Sequence, residues 1–346
     1  MQLFHLRHVS WLDSQLIYHA QPRVGVEGLN ILAPSTPYVC IGYHQDLEQE
    51  VDVAYCQGNH IPVFRREVGG GAVYLDGNQI FFQIVLHKDH PLASGDKAAL
   101  YQRMLQPVAD AYSDLGVPAR YRPVNDVITT EGRKISGTGA ATIGDYVIVV
   151  GNLIADFDYA TMARVLCVPD EKYRDKVFKS IQENLTTIKR ELGRIPAWDE
   201  LVAPLIRRFE GVLGPLEPAE MPPAVYDQVQ VLKPQYLSEA WLYRKGRRQV
   251  GRDVKIATGV NVLQHIHKAP GGLIRATVEV REGKMTYASL SGDFFCYPMD
   301  AVGDLEAALV GVSLEQVGDV LADFYARHEI ETPGVAVDDW LKVLSA

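Results

Sequence analysis

Three consecutive glycines, Gly69-Gly70-Gly71, stand between the strand-like runs at 61–64 and 72–75. Each costs roughly 0.5–1 kcal/mol relative to alanine in a regular element, so a fold that keeps all three needs their positive φ or their missing Cβ. Something approaches that backbone closely, whether a neighbouring segment at a turn or bulge or a bound molecule. Arg65 and Arg66 lie just before the triplet, and guanidinium groups next to a loop rich in backbone N–H donors suit an anion.

The surrounding text predicts a meandering sheet, with β-branched or aromatic runs at 38–43, 61–64, 72–75 and 80–86 separated by Gly, Asp and Asn. Ser10, followed by Trp11, Leu12, Gln15, Leu16 and His19, predicts a helix over 10–20. Leu100, Met104, Leu105, Val108, Tyr112 and Leu115 predict a long helix crossing the sheet, closed by Gly116 and Pro118 and kinked at Pro107. A buried strand follows at 146–154, then helices near 158–166 and 198–213. Five prolines between 214 and 236 predict a connecting segment. Beyond it, 272–280 and 284–290 predict a hairpin through Arg281-Glu282-Gly283, and Ser313 to Gln316 reads as a capping box opening a helix that runs to His328.

At 346 residues the chain exceeds what one hydrophobic core usually supports. The expected architecture is α+β: mixed and antiparallel sheets flanked by helices in a domain over 1–245, and a small α+β domain over 246–346. A net charge of -9 argues against nucleic acid as a main partner. The start lacks a secretory pattern, and the longest apolar run, 146–155, is half of the ~20 residues a membrane helix needs. A cytoplasmic protein without a membrane segment is expected. Cys40, Cys56, Cys167 and Cys296 form no CxxC pair, which argues against disulfides and structural zinc.

The common phosphate-loop, dinucleotide, zinc-protease and serine-elbow signatures are absent. Apart from the triplet, the densest stretch is Asn125-Asp126 through Lys134-Ile135-Ser136-Gly137 to Ala140. There Glu131-Gly132-Arg133 reads as a turn, and Lys134 opens a strand whose small residues leave space over the sheet.

Together these stretches resemble the lipoate–protein ligase family, within the wider group of biotin ligases and octanoyltransferases. The residues that carry the resemblance are Arg65, Arg66, Gly69, Gly70, Gly71, Val73, Tyr74, Asp76, Gly77, Asn78, Asn125, Asp126, Lys134, Ser136, Gly137 and Ala140, with the strand through Gly151 to Asp156. It runs from about residue 25 to the C-terminus, and the last third looks like the accessory domain of the longer ligases. Three departures stand out. Leu75 replaces the usual His, the interval from Asp76 to Gly77-Asn78 is one residue shorter, and Val150-Gly151-Asn152 replaces a common His-Gly-Thr.

The resemblance implies an ATP-dependent enzyme that activates lipoate to lipoyl-AMP and transfers the lipoyl group to a lysine of a lipoyl-domain acceptor. That acceptor class includes glycine cleavage H-like proteins, 2-oxoacid dehydrogenase acyltransferase domains and dedicated lipoate-binding proteins; octanoate is an alternative acid. It assigns catalysis to Lys134. Lipoate or adenylate binding falls to Arg65, Arg66, Gly69, Gly70, Gly71, Ala72, Val73, Tyr74, Asp76, Asn78, Asn125, Asp126, Ser136, Gly137, Ala140 and Gly151. Asp126 would meet Mg²⁺ carried by the phosphates. Gln45 matches a polar position near the acyl site, though a plain sheet-end glutamine explains it equally. Two rivals remain: octanoyl or lipoyl transfer through a Cys167 thioester, and a non-catalytic lipoyl-binding relative.

Overall fold

The computed structural model describes residues 1–168, 170–246 and 260–344. The strands, in chain order, are β1 (Gln2–Val9), β2 (Gly28–Pro34), β3 (Tyr38–Ile41), β4 (Val63–Arg65) and β5 (Val73–Leu75). Next come β6 (Gln79–His87), β7 (Ala119–Arg122), β8 (Asp126–Thr129), β9 (Lys134–Ser136) and β10 (Thr138–Ile143). The series ends with β11 (Tyr146–Ile154), β12 (Glu217–Pro218), β13 (Val260–Ala269), β14 (Gly272–Arg281) and β15 (Lys284–Gly292).

The chain divides into two compact units. The first comprises Met1–Cys40, Val51–Phe64 and Val73–Leu237; the second comprises Ile41–Glu50, Arg65–Ala72 and the chain from Ser238. The two inserted segments of the second unit have no counterpart in a single cut near 245, and part of the boundary region, 247–250, lies outside the described residues.

In the first unit, a six-stranded sheet runs β10-β11-β6-β2-β1-β12. It is mixed: β10 to β2 pair antiparallel, whereas β2, β1 and β12 run parallel. β6 and β11 are buried along most of their length, so their text is a nearly continuous apolar run and not an alternating one. The helix Trp198–Leu213 lays Phe209 against Phe82 of β6, ring centroids 5.4 Å apart, and packs beside the long helix Lys97–Asp114. Pro107 lies inside that long helix, fully buried. Two three-stranded sheets, β4-β3-β5 and β7-β8-β9, complete the unit's strands.

The second unit is a small α+β body. Its antiparallel meander β13-β14-β15 packs one face against the helices Ala301–Leu309, Val317–Arg327 and Val337–Leu344 around Ile274, Val278, Leu290, Leu305, Leu321 and Trp340. The hairpin turns on Glu282 and Gly283, whose φ values of 52° and 76° match the two-residue turn that follows strand twist. The capping box at Ser313 and Gln316 forms, and the helix that follows ends at Arg327.

Two expectations fail. The runs at 38–43, 61–64, 72–75 and 80–86 form no single meander, because β3 lies between β4 and β5 and β6 joins the six-stranded sheet. The proline-rich stretch is no connector: Pro223–Tyr236 is a helix, and Glu217–Pro218 pairs with β1. Pro222 and Pro223 sit at the cap and first helical position, where the missing N–H would be unsatisfied in any case, and Pro234 lies in the last turn. Val225, Val229, Leu232 and Tyr236 fall at i, i+4, i+7 and i+11 and are buried, against the helix Asp13–Ala20. Leu232→Ala should therefore destabilise the protein by about 2–3 kcal/mol in urea unfolding, while Val231→Ala, at 68% exposure, stays within about 0.5 kcal/mol. A flexible connector would leave both substitutions silent.

Candidate active site

The residues singled out from the sequence divide between the two units. Arg65, Arg66, Gly69, Gly70, Gly71 and Ala72 belong to the second; Val73, Tyr74, Asp76, Asn78, Asn125, Asp126, Lys134, Ser136, Gly137, Ala140 and Gly151 belong to the first.

In the first unit, Lys134 opens β9 with its backbone held on both sides: β9 pairs with β8, and the Lys134 carbonyl accepts from Thr186 N at 2.8 Å. Its Nζ lies 3.0 Å from Asp126 Oδ1, and Arg122 Nη2 lies 2.7 Å from Asp126 Oδ2. Burial pushes the Asp126 carboxyl up, but the Lys134 ammonium and the Arg122 guanidinium outweigh it and hold the group below the usual carboxylate range. Asp126 is thus ionised at neutral pH, and the cluster of two cations and one carboxylate keeps a surplus positive charge. Asn125 ties the adjoining loop down, donating Nδ2 to Thr138 O at 2.8 Å.

Behind Lys134 runs a buried polar chain. Ser136 Oγ donates to Asn152 O at 2.6 Å, Gly137 N donates to Asn152 Oδ1 at 2.8 Å, Asn152 Nδ2 donates to Gln79 Oε1 at 2.8 Å, and Gln79 Nε2 donates to Tyr74 O at 3.1 Å. It locks β9, β11, β6 and the start of the Tyr74–Asn78 turn in register, so Ser136 acts here as a strand clamp. Gln79 does not stand out in the sequence, because a buried amide in a strand carries no local pattern, and Asn152 does so only as part of the Val150-Gly151-Asn152 departure.

Gly151 is explained by packing: a Cβ there would fall 2.3 Å from the Phe82 ring. Ala140 is buried within β10. Leu75, in place of the family histidine, is buried on β5 opposite Tyr38, where an apolar side chain fits. Asp76 accepts from Asn78 N at 2.9 Å, and burial raises its carboxyl, with Asp158 and Asp156 adding to the rise. Burial likewise pushes the Tyr74 phenol up to about 12.

The second unit shows what approaches the glycine triplet: the chain itself. Gly70 has φ +88°, and its N–H donates to Phe294 O at 3.1 Å. A Cβ on Gly69 would fall 2.8 Å from Phe294 O, one on Gly70 would fall 3.0 Å from the Phe295 ring, and one on Gly42 would fall 1.9 Å from Gly70 O. Gly71 has room, its nearest neighbour being Asp293 Cβ at 3.6 Å. Arg66 turns back to donate to the carbonyls of Gly69 and Gly71 at 2.8 and 2.9 Å. Arg65 is fully buried and donates to the carbonyls of Gly42, Tyr43, Gln45, Trp241 and Leu242 at 2.6–3.1 Å. Trp241 Nε1 answers by donating to Arg65 O at 2.9 Å. Gln45 caps its own turn, Oε1 accepting from Gly42 N at 2.9 Å.

No group of three or more His, Cys, Asp or Glu able to hold a metal occurs among the described residues. With both Asp126 oxygens engaged by cations, the donor set fits Mg²⁺ only as an ion that arrives with phosphate oxygens, the usual manner for this metal in nucleotide sites.

A family profile described as the lipoyl protein ligase A/B catalytic domain matches residues 14–210. The chain belongs to this family. It is 28% identical over 297 residues to the lipoate-protein ligase LplJ of Bacillus subtilis, covering 84% of each chain. It is 24% identical over 236 residues to the octanoyltransferase LipM of Moorella thermoacetica, covering 63% of this chain and 86% of that one. Among solved structures, a chain from that of a bi-partite lipoate protein ligase and its E2 lipoyl domain from Thermoplasma acidophilum superposes with a TM-score of 0.62 at 28% identity, covering 69% of this chain and 94% of that one. The protein is therefore an enzyme of the lipoate-protein ligase family, with that family's fold of open mixed sheets flanked by helices.

The geometry gives Arg65 a measurable role independent of any ligand. Arg65→Met should destabilise the protein by about 3–5 kcal/mol, because it strands several buried carbonyls, and Arg65→Lys should recover little, since an ammonium cannot reproduce the planar fork. Urea unfolding of the intact chain reads both; unchanged midpoints would return Arg65 to a pure ligand contact.

Proposed function

We propose that this protein is an ATP-dependent lipoate–protein ligase: it condenses lipoate with ATP to give lipoyl-AMP and pyrophosphate, then passes the lipoyl group to a lysine amine of a lipoyl-domain protein. The observation that carries the proposal is the Lys134 ammonium, fixed at the start of β9 within a cluster of net positive charge.

Adenylation brings two anions together. A carboxylate about 4 Å from a phosphate meets a repulsion of about 4 kcal/mol at an effective dielectric of about 20. An ammonium between them turns this into attraction and goes on stabilising the crowded, charge-rich transition state. Lys134 takes that role, and it must stay cationic to do so. Its backbone anchorage on both sides means that little side-chain order remains to be imposed when substrate arrives. Mg²⁺, carried in with the nucleotide, would neutralise phosphate charge beside Asp126.

In the second step the acceptor amine attacks the acyl carbonyl of the mixed anhydride, AMP leaves, and the amine loses a proton. No enzyme nucleophile is needed. The cysteines agree with this. Cys40, Cys56 and Cys296 are buried, and burial pushes the thiols of Cys56 and Cys296 up to about 11 and about 12, away from thiolate chemistry. Cys167, just beyond the helix Tyr159–Val165, is the exposed one.

The likeness to an octanoyltransferase supports a second reading, acyl transfer through a Cys167 thioester. The two readings part on simple substitutions. Lys134→Ala should lower lipoate-dependent pyrophosphate release by about 10²–10³-fold, and Cys167→Ser should leave both pyrophosphate release and acceptor lipoylation, weighed by mass spectrometry, at wild-type levels. Loss of acceptor modification in Cys167→Ser, without any requirement for ATP, would establish the transferase instead.

A further inference from the structure

Sequence patterns single out Lys134 and Asp126 but pass over Arg122, the third member of the cluster. We infer that Arg122 is a positioning residue: by holding one oxygen of Asp126, it leaves the Lys134 ammonium free to attract an anionic substrate. This rests on the role given to Lys134 in the ligase reading.

The argument starts from the register. Arg122 ends β7 and stands directly opposite Asp126 at the start of β8, while Lys134 stands opposite Ile128, one row along on the neighbouring strand. Directly opposed residues of antiparallel strands share a face, and so do residues two apart on one strand. Arg120, Arg122 and Asp126 therefore lie on one face of the three-stranded sheet; the β8–β9 pairing shifts register between Val127 and Ile128, and across that irregularity the Lys134 ammonium reaches the same Asp126, giving three positive charges and one negative.

Within that face the contacts are specific. Arg122 Nη2 binds Oδ2 of Asp126 at 2.7 Å, and Lys134 Nζ binds Oδ1 at 3.0 Å. One carboxylate charge is spread over two oxygens, and each oxygen has its own cation. Without Arg122, the whole carboxylate charge would fall to Lys134, and the pair would present almost no net charge to an arriving phosphate. With Arg122 in place the trio presents about one positive charge. The planar guanidinium also fixes the direction of the carboxylate more firmly than a mobile ammonium could. Arg122 is 45% exposed and Lys134 35%, so both remain within reach of a ligand from solvent while Asp126 is more covered, at 22%.

This assignment explains why an anion sits beside a lysine whose task is to bind anions, an arrangement that otherwise defeats itself. Asp126 fixes where the ammonium stands, and Arg122 cancels the electrostatic penalty of having it there. Because Arg122 is itself 45% exposed and the more covered Asp126 keeps Lys134 as a partner, removing Arg122 should have little effect on stability, so a change in activity cannot be put down to unfolding.

The test is a double-mutant cycle on the full chain with two readouts: lipoate-dependent pyrophosphate release under Mg-ATP, and calorimetric affinity for AMP in metal-free buffer as a bare phosphate probe. Arg122→Ala should lower kcat/KM and AMP affinity by roughly three- to tenfold, chiefly through KM for ATP, with the unfolding midpoint unchanged. Arg122→Lys should keep most of both, and Arg120→Ala, which removes a charge from the same face, should change either by less than about twofold. In an Asp126→Asn background the Arg122→Ala effect on AMP affinity should shrink below about twofold. A penalty that persists undiminished in that background would make Arg122 a direct substrate contact and overturn the inference. So would an Arg122→Ala protein indistinguishable from wild type, or an Arg120→Ala protein equally impaired. If Lys134→Ala retains adenylation, the ligase reading itself fails; if Lys134→Ala is inactive while Arg122→Ala is normal, only the inference about Arg122 fails.

Discussion

The proposed ligase chemistry depends on keeping one ammonium, that of Lys134, in place. A lysine has four rotatable side-chain bonds and a strongly hydrated head, so a free one spends little time in any single position. Here the restraint comes from both ends. The Lys134 backbone is fastened to β8 and to Thr186, and its Nζ is held by Asp126, itself ionised because two cations outweigh its burial. The Ser136–Asn152–Gln79 chain extends that fastening into the central sheet, so displacing Lys134 would mean breaking buried hydrogen bonds in three strands. A polar chain of this kind resists half measures: with every member satisfied it fixes register, and with one removed it leaves orphaned groups in the core.

The glycine triplet and the arginine pair teach a different lesson. Their composition suits an anion, yet within the second unit Gly69, Gly70 and both arginines are engaged by the chain itself, and only Gly71 has room. Gly69 and Gly70 admit the 294–295 segment, Gly42 admits the Gly70 carbonyl, and Arg65 gathers carbonyls from two separate stretches of sequence. A fully buried guanidinium survives only where several acceptors converge on it, and here carbonyls from 42–45 and 241–242 supply them. Sequence shows that close approach is required at 69–71; it does not show by what, because the approaching residues are more than two hundred positions away.

That distance separates what could be read from what could not. Elements with their own local periodicity were legible: Trp198–Leu213 falls on the bounds expected from its apolar spacing, and so, to within a few residues, do the long helix at 97–114 and the hairpin at Glu282-Gly283. The helix Pro223–Tyr236 was hidden because its prolines sit at positions a helix tolerates, and proline content outweighed a genuine i, i+4, i+7 stripe. The helix Arg174–Asn184 was missed for the opposite reason: it buries Arg174 and little else, leaving no apolar stripe to detect. Lys134 and Asp126, singled out from their motif, do come together, 3.0 Å apart. Arg122 could have been found from the hairpin register that sets it opposite Asp126; Asn152 and Gln79 could not, since their partners lie across strands.

The same logic bears on the choice between direct and cysteine-mediated transfer. A thioester route needs a thiol that ionises near neutral pH and meets the acyl donor in a water-poor, cation-lined site. Three of the four thiols are buried, and for Cys56 and Cys296 burial acts against ionisation. The first unit's cluster of Arg122, Asp126 and Lys134 carries a surplus positive charge, which in the ligase reading would stabilise phosphate and carboxylate oxygens. Under the ligase reading the Lys134 ammonium would serve adenylation directly; in a thioester exchange the same cation would stabilise the tetrahedral oxyanion. The two routes therefore part at the thiol and not at the cation: only the thioester route requires Cys167, the exposed cysteine.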